Sequence, residues 1–428
     1  MKIENSFLRF GDVAKFRNGL NFTKESRGSG CPLIGIPDFQ NRFTPNYDSL
    51  EEIDPSGLAS EEDYLQKHDI IFVRSNGNKA LVGRSLYLDR DIRALFSGFC
   101  IRARIFADEL DPKFCAYFTR SKHFKKSISS SAGTNINNLN QDILGDVAIP
   151  RIDKDRQLAI AELLGSLDAK VELNNRINEE LEGLAKLLYD YWFVQFDFPI
   201  TAAQAAAMGK PKLEDKPYRA SGGKMIFNEA LKREIPEGWR HSTIGETFKT
   251  HLGGTPSREN EEYWTPAQVN WLSSGENPST FVVAPDEQIS KLGLQNSPAR
   301  LLPVGTVILS IVRHLRASIL GIEAATNQSV VGIVETKTFK HCFIYPYLVR
   351  EIPRLMVLRT GAQQPHINKG VLDASFLVVP DESTLEAYTS LAAPLFLQIK
   401  NHHQQNRELT ELRDWLLPML MNGQVTVG

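Results

Sequence analysis

A repeat constrains this chain more than any other feature. Residues 228 positions apart correspond at several separate places: Val171 with Ile399, Leu181 with Leu409, Leu184 with Leu412 and Leu188 with Leu416. Upstream, residues 133–139 align with 361–367 at the same offset. Each tract leads shortly to an apolar strand ending in proline, Val147-Ala148-Ile149-Pro150 and Leu377-Val378-Val379-Pro380, and then to a long helical pattern. A glycine turn lies near the start of each half, Arg17-Asn18-Gly19 and Gly253-Gly254-Thr255-Pro256. Identity between the halves is low. Agreement of order and spacing in one register is nevertheless the signature of a duplicated plan.

The repeat predicts two modules, 1–150 and 236–380, each followed by a helical stretch, 151–235 (a spacer helix and a linker) and 381–428 (a C-terminal spacer helix). Short β-rich runs (69–73 and 306–310) alternate with Gly, Asn and Pro turns, so each module reads as α/β or α+β. From Lys154 to about Phe193 there is no proline and only two glycines. Seam positions recur there as Leu167, Val171, Asn174, Asn178, Leu181 and Leu188, and in the second copy as Leu395, Ile399, His402, Asn406, Leu409 and Leu416. Steps of four and three are those of a coiled coil. A helix of this size spans ~60 Å at 1.5 Å per residue, more than a small module can cover, so it must pack on another long helix. Asn174 corresponds to His402 and Asn178 to Asn406. Such polar positions either form a buried register-setting layer or face solvent or a partner.

Composition narrows the class. At 428 residues the chain exceeds one ordinary domain, and 42% hydrophobic with 23% charged residues is globular. No run approaches a membrane span, and the first residues lack a signal-peptide layout. Four scattered cysteines (Cys31, Cys100, Cys115, Cys342) read as reduced thiols of a cytoplasmic protein, without metal spacing. The net charge is −2, which argues against a protein that merely coats DNA. Residues 1–150 and 236–380 each carry one excess positive charge, and the helical stretches carry the negative balance.

Catalytic signatures are lacking. Ser221-Gly222-Gly223-Lys224 lacks the upstream glycine and hydroxyl of a phosphate loop. A methyltransferase cofactor loop and its Asn/Asp-Pro-Pro-aromatic tetrapeptide are missing, as are Gly-x-Ser-x-Gly and His-Glu-x-x-His. Glu335-Thr336-Lys337 and Glu214-Asp215-Lys216 fit the last triplet of a metal nuclease, but charged surface triplets of this kind are common. The chain reads as non-catalytic, with no metal site and no cofactor of its own.

The modules instead concentrate side chains suited to nucleic acid. In the first these are Arg17, Asn18, Asn21, Lys24 and Arg27, then Arg74, Ser75, Asn76, Asn78 and Lys79, then Thr134, Asn135, Asn137 and Asn138. In the second they are Thr255, Ser257 and Arg258, then Arg313, His314 and Arg316, then Gln363, Gln364 and His366. Arg suits guanine edges, Asn and Gln suit adenine, and hydroxyls hold phosphate. Taken singly, the Asn-Gly and Ser-Gly tracts are turn formers. As three clusters at corresponding places, they are expected to form one DNA-contacting face per module.

Over essentially its full length the chain resembles the specificity subunit (HsdS) of type I restriction–modification systems. The resemblance is carried by residues 179–189, Trp192-Phe193-Val194-Gln195-Phe196-Asp197-Phe198-Pro199, 216–225, Ile235-Pro236-Glu237-Gly238-Trp239 and the Gly-Gly-Thr-Pro at 253–256. It implies two target recognition domains in tandem, separated by two long antiparallel coiled-coil helices with pseudo-twofold symmetry. Each domain would read half of a split double-stranded DNA target, and the helices would set the spacing. The resemblance further implies docking of two modification (methyltransferase, HsdM) subunits carrying S-adenosylmethionine and, through them, two ATP- and Mg-dependent restriction (HsdR) subunits. The loops around Gly133 and Gly361 and the strand-end loops would lie near DNA. One departure stands out: Asn18-Gly19-Leu20-Asn21 replaces the first Gly-Gly-Thr-Pro, so the first turn is expected to sit differently. Residues 200–215 look like an Ala-rich surface insertion with a short helix. The alternative reading is a stand-alone tandem DNA-binding scaffold or regulator.

Overall fold

A computed structural model describes residues 7–22, 26–39, 42–131, 138–273, 279–285, 287–361 and 365–427. It divides into two compact units, 1–172 with 407–428, and 173–406. The division passes through both long helices, Lys154–Tyr189 and Glu382–Met421. Each unit therefore holds one mixed module and one portion of each helix.

In the first unit, strand Phe7–Arg9 pairs antiparallel with Ala148–Pro150. A four-stranded antiparallel sheet follows, ordered Ala14–Asn18, Cys100–Ile105, Ile70–Val73, Ser85–Tyr87. A three-stranded sheet has Arg27–Ile34 at its centre, antiparallel to Glu51–Ile53 and parallel to Leu95–Phe96. Ile70 to Val73 are fully buried on both faces, as a central apolar run requires.

The second unit repeats this plan. Arg240–Thr243 pairs with Phe376–Val379. The larger sheet runs Thr250–Leu252, Val330–Ile333, Val307–Ser310, Arg316–Leu320, with a fifth strand, Phe281–Val282, added at the edge. The smaller sheet centres on Val269–Leu272, antiparallel to Glu287–Ile289 and parallel to Ala325–Thr326. The duplicated α+β plan thus extends to strand order and direction.

The helix ends are capped at the repeat offset: Asp153 accepts the Arg156 N–H at 3.0 Å and Asp381 the Thr384 N–H at 2.9 Å. Within the first unit the helices run antiparallel. Asp168 meets Arg413, and Ile160 and Leu164 share a core with Leu417 and Leu420. Within the second unit they are antiparallel as well. Asn174 Nδ2 donates to Asn406 Oδ1 at 2.8 Å, and His402 Nδ1 donates to Asn178 Oδ1 at 2.8 Å. With Asn174 0% and Asn178 4% exposed, the polar positions form a buried layer rather than a solvent-facing stretch. Ile399 is also buried, whereas Leu167, Val171, Leu181, Leu188, Leu395, Leu409 and Leu416 are half-buried; Ala185, Ala392 and Phe396 are covered more completely.

The Trp192–Pro199 stretch is core, not surface. Trp192, Phe193, Phe196 and Phe198 pack with Tyr189, Trp239 and Tyr388, and the Phe198 ring stacks between Tyr218 at 4.7 Å and Trp239 at 4.9 Å. Burial of each such ring contributes about 1.5–3 kcal/mol. The Ala-rich segment forms the expected short helix, Ala202–Ala207, capped by Thr201. It is not a mere surface insertion, because Ile200 and Ala205 belong to the same core. Among the described residues no helix is long and apolar enough to cross a membrane.

Candidate nucleic-acid interface

In each module one tight turn gathers the described ends of the three stretches that carry the predicted clusters. In the first it spans Phe96 to Cys100. The Arg74 N–H donates to the Phe99 carbonyl at 2.8 Å as the chain leaves the buried strand Ile70–Val73. From the other side, Gly19 N–H donates to Cys100 O at 3.1 Å, Leu20 N–H to Phe96 O at 3.1 Å, and Gly98 N–H to Leu20 O at 2.7 Å. The third cluster joins through Leu139 N–H to Arg74 O at 2.8 Å and a bridge between Ser75 and Asn138.

The second module builds the same hub from Thr326 to Val330. Gly253 N–H donates to Val330 O at 3.1 Å, Gly254 N–H to Thr326 O at 2.8 Å and Ile311 N–H to Ser329 O at 2.9 Å. Ile367 N–H then donates to Ile311 O at 3.1 Å, Arg313 N–H to Pro365 O at 2.8 Å, and Val312 bridges His366.

These bonds correct the register read from sequence. Gly19 stands where Gly253 stands, not where Gly254 does, and both glycines are required by close approach. An added Cβ would lie 2.1 Å from Ser97 O at Gly19 and 2.2 Å from Asn327 O at Gly253. The first turn keeps the backbone bonds of the second despite its different sequence.

The side chains sort into two groups. Arg17 is engaged within its module: Nε lies 2.7 Å from Asp63 and Nη1 2.7 Å from Glu62. Arg258 lies 3.6 Å over the Trp264 ring and pairs with Glu287 at 2.7 Å. Asn76 and Asn78 accept from Asn78 N–H and Ala80 N–H, so they shape the turn, and Thr255 donates to Gln328 at 2.5 Å. Ser257 accepts the Glu259 N–H.

The other group points outward. Asn18, Asn21, Lys79, Asn138, Arg313, His314, Arg316 and His366 are exposed, and Arg74 and Ser75 are partly so. Arg74, Arg313 and Arg316 have no carboxylate partner among the described residues. Arg313 adopts φ +61°, uncommon for a side chain of its size, and is held there by Arg359, whose Nη1 donates to Arg313 O at 2.8 Å. Lys24, Thr134, Asn135, Asn137, Gln363 and Gln364 lie outside the described residues.

Sequence reasoning missed the hubs themselves. Phe99, 58% exposed at the tip of the first, and Asn327 and Gln328 on the second stand beside the predicted clusters. A polar tract between two short apolar runs, Thr326-Asn327-Gln328-Ser329, was the available signal. Arg359 gave none, since its role depends on the backbone it reaches.

The nuclease triplet has a structural role. Glu335 accepts from the His341 backbone and from its Nδ1 at 2.6 Å, fixing the start of helix His341–Val357. Burial raises its pKa, but the His341 bonds outweigh this and hold it below the ordinary carboxylate range. No group of three His, Cys, Asp or Glu among the described residues is placed to hold a metal ion.

The family model for the type I restriction modification DNA specificity domain matches residues 3–183 and again 236–408. The chain belongs to this family. It is 23% identical over 326 residues to the MjaIX specificity subunit of Methanocaldococcus jannaschii, covering 75% of this chain and 70% of that one. It is 23% identical over 412 residues to the HindI specificity subunit of Haemophilus influenzae, covering 84% and 87%. Among solved structures, the type I restriction–modification S subunit of M. genitalium has the same fold, with TM-score 0.52 and 14% identity over 98% of each chain.

Proposed function

We propose that this chain is the non-catalytic DNA-specificity subunit of a type I restriction–modification complex, its two modules each reading one half of a bipartite, asymmetric target. The observation that carries this is the convergence of three loops on one hub per module, with Arg74, or Arg313 and Arg316, left without a carboxylate partner among the described residues. Free guanidiniums on a rigid backbone frame suit bidentate contacts to guanine edges and phosphate. Residues 1–150 and 236–380 act as the target recognition domains. Residues 151–235 supply the central spacer helix and linker, and 381–428 the C-terminal spacer helix.

On this reading the helices measure the gap between half-sites and dock two modification subunits, which in turn recruit two restriction subunits in the cytoplasm. S-adenosylmethionine, ATP and Mg²⁺ then reside on those partners. Relatives named as specificity subunits support the reading, as does the absence of catalytic signatures from the sequence. The test is to express the chain with its modification subunits and map methylated adenines genome-wide. A split motif with a fixed gap is expected, and paired seven-residue insertions in both helices should lengthen that gap. Unsplit or random methylation would overturn the reading.

A further inference from the structure

A cleft of about 210 Å³ opens in the first unit, apart from the hub. Helices Pro112–Phe118 and Lys122–Ser131 form one wall and the end of the second long helix the other. Arg42, Arg84, Arg120, Lys122, Lys125 and Arg413 line it, against a single carboxylate, Asp414. That carboxylate is taken: Arg413 holds Asp414 at 2.8 Å and Asp168 at 2.6 Å. Arg42 pairs with Glu172 at 3.2 Å. Arg84, Arg120, Lys122 and Lys125 have no ion-pair partner among the described residues.

The repeat supplies an internal control. Moving 228 positions, Asp168 becomes Phe396 and Arg413 becomes Ala185, both buried in the apolar core of the second unit. The fold thus fills this helix contact with a dry core in one half. Charge here is not needed to build the architecture, and gathering like charges is unfavourable in itself. Burial and the neighbouring Arg413 push the Arg120 pKa below its ordinary value, outweighing the opposing pull of Asp168 and Asp414.

We propose that this cleft is a phosphate-binding site, taking a phosphodiester of DNA or a free polyphosphate between Arg84, Arg120 and the Lys122–Lys125 rim. Guanidinium forks bind tetrahedral oxyanions bidentately and lysine adds point charge, a combination that favours phosphate over a single carboxylate. The inference does not rest on the hub reading, since tripolyphosphate binding is measured without DNA.

Tripolyphosphate titrated calorimetrically into the full chain should bind saturably. Lys122→Ala/Lys125→Ala, both exposed and safe for folding, should weaken it at least about tenfold, the loss of two cations from a phosphate site. Lys210→Ala/Lys212→Ala, an equal charge change elsewhere, should leave it unchanged. Salt dependence of duplex binding separates the sources. A log–log slope reduced by about one or two in the cleft variant assigns a backbone phosphate, and an unchanged slope with weakened tripolyphosphate binding assigns a free polyanion. No saturable binding, or equal binding by the cleft variant, overturns the site.

Discussion

Asn174 and Asn406 share a 2.8 Å hydrogen bond inside the helix pair. The repeat turns this contact into another of the same kind, Asn178 with His402, the two helices exchanging roles. Asn174 also donates to Gln405 at 2.7 Å. Its amide, itself fully buried, therefore ties Asn406 within the layer and Gln405 at its exposed edge. Asn174→Ala should destabilise the second unit by about 0.5–1.5 kcal/mol, because Asn406 loses its donor inside the helix pair whereas the exposed Gln405 turns to water. Urea midpoints of the two proteins would measure it, and no shift would show that the layer carries no net stability.

Next along the helix, His403 is pushed down to about 4 by burial, with His402 adding repulsion. A depressed histidine favours the neutral form in the folded state, so its contribution to stability is intact above about pH 6.5. That contribution falls as pH drops toward 4, by at most about 1.4 kcal/mol per pH unit for this proton. His403→Gln should flatten the difference between urea midpoints at pH 7 and pH 5. An unchanged difference would place the acid sensitivity elsewhere.

Gly19→Ala and Gly253→Ala should each cost upward of ~2 kcal/mol and disrupt only their own hub, since the new methyl would collide with backbone oxygens. Gly183→Ala is the contrast. It lies within helix Lys154–Tyr189 with nothing within 4 Å, and should stabilise by roughly 0.5–1 kcal/mol. Thermal unfolding of the three variants distinguishes steric closeness from glycine content.

Arg74→Ala and Arg313→Ala should each weaken binding to one half-site only, by about 1–3 kcal/mol if the lost contact is to a base edge. Fluorescence anisotropy with duplexes scrambled in either half reads this out. Equal losses on matched and scrambled duplexes would assign both arginines to phosphate.

All four cysteines are buried, and burial pushes the Cys100 and Cys342 thiols up to about 12. A thiol held protonated and covered is a poor nucleophile. Ellman's reagent should find none of them in the native chain and all four in guanidinium. Rapid native labelling would contradict this burial.

The repeat was legible because helices and strand-to-proline junctions keep their spacing even where identity is lost. The convergence of clusters was legible only as correspondence between halves. Which cations remain unpaired was hidden: Arg17 and Arg74 are equivalent as letters, yet one has Glu62 and Asp63 within 2.7 Å and the other has no such partner among the described residues. Those partners lie tens of residues away and arrive by folding. The basic cleft was hidden for the same reason, since Arg42, Arg84, Arg120 and Arg413 are scattered along the chain.

Strand Phe7–Arg9 opens the first module and lies against Ala148–Pro150, which closes it, as Arg240–Thr243 lies against Phe376–Val379 in the second. Entry and exit of each module are therefore neighbours, joined to the helices through one two-stranded clasp. A module of different sequence ending in the same clasp could be exchanged at that seam without disturbing the helix pair. New target preferences are then open to recombination at two short junctions, a route far quicker than remodelling loops one residue at a time.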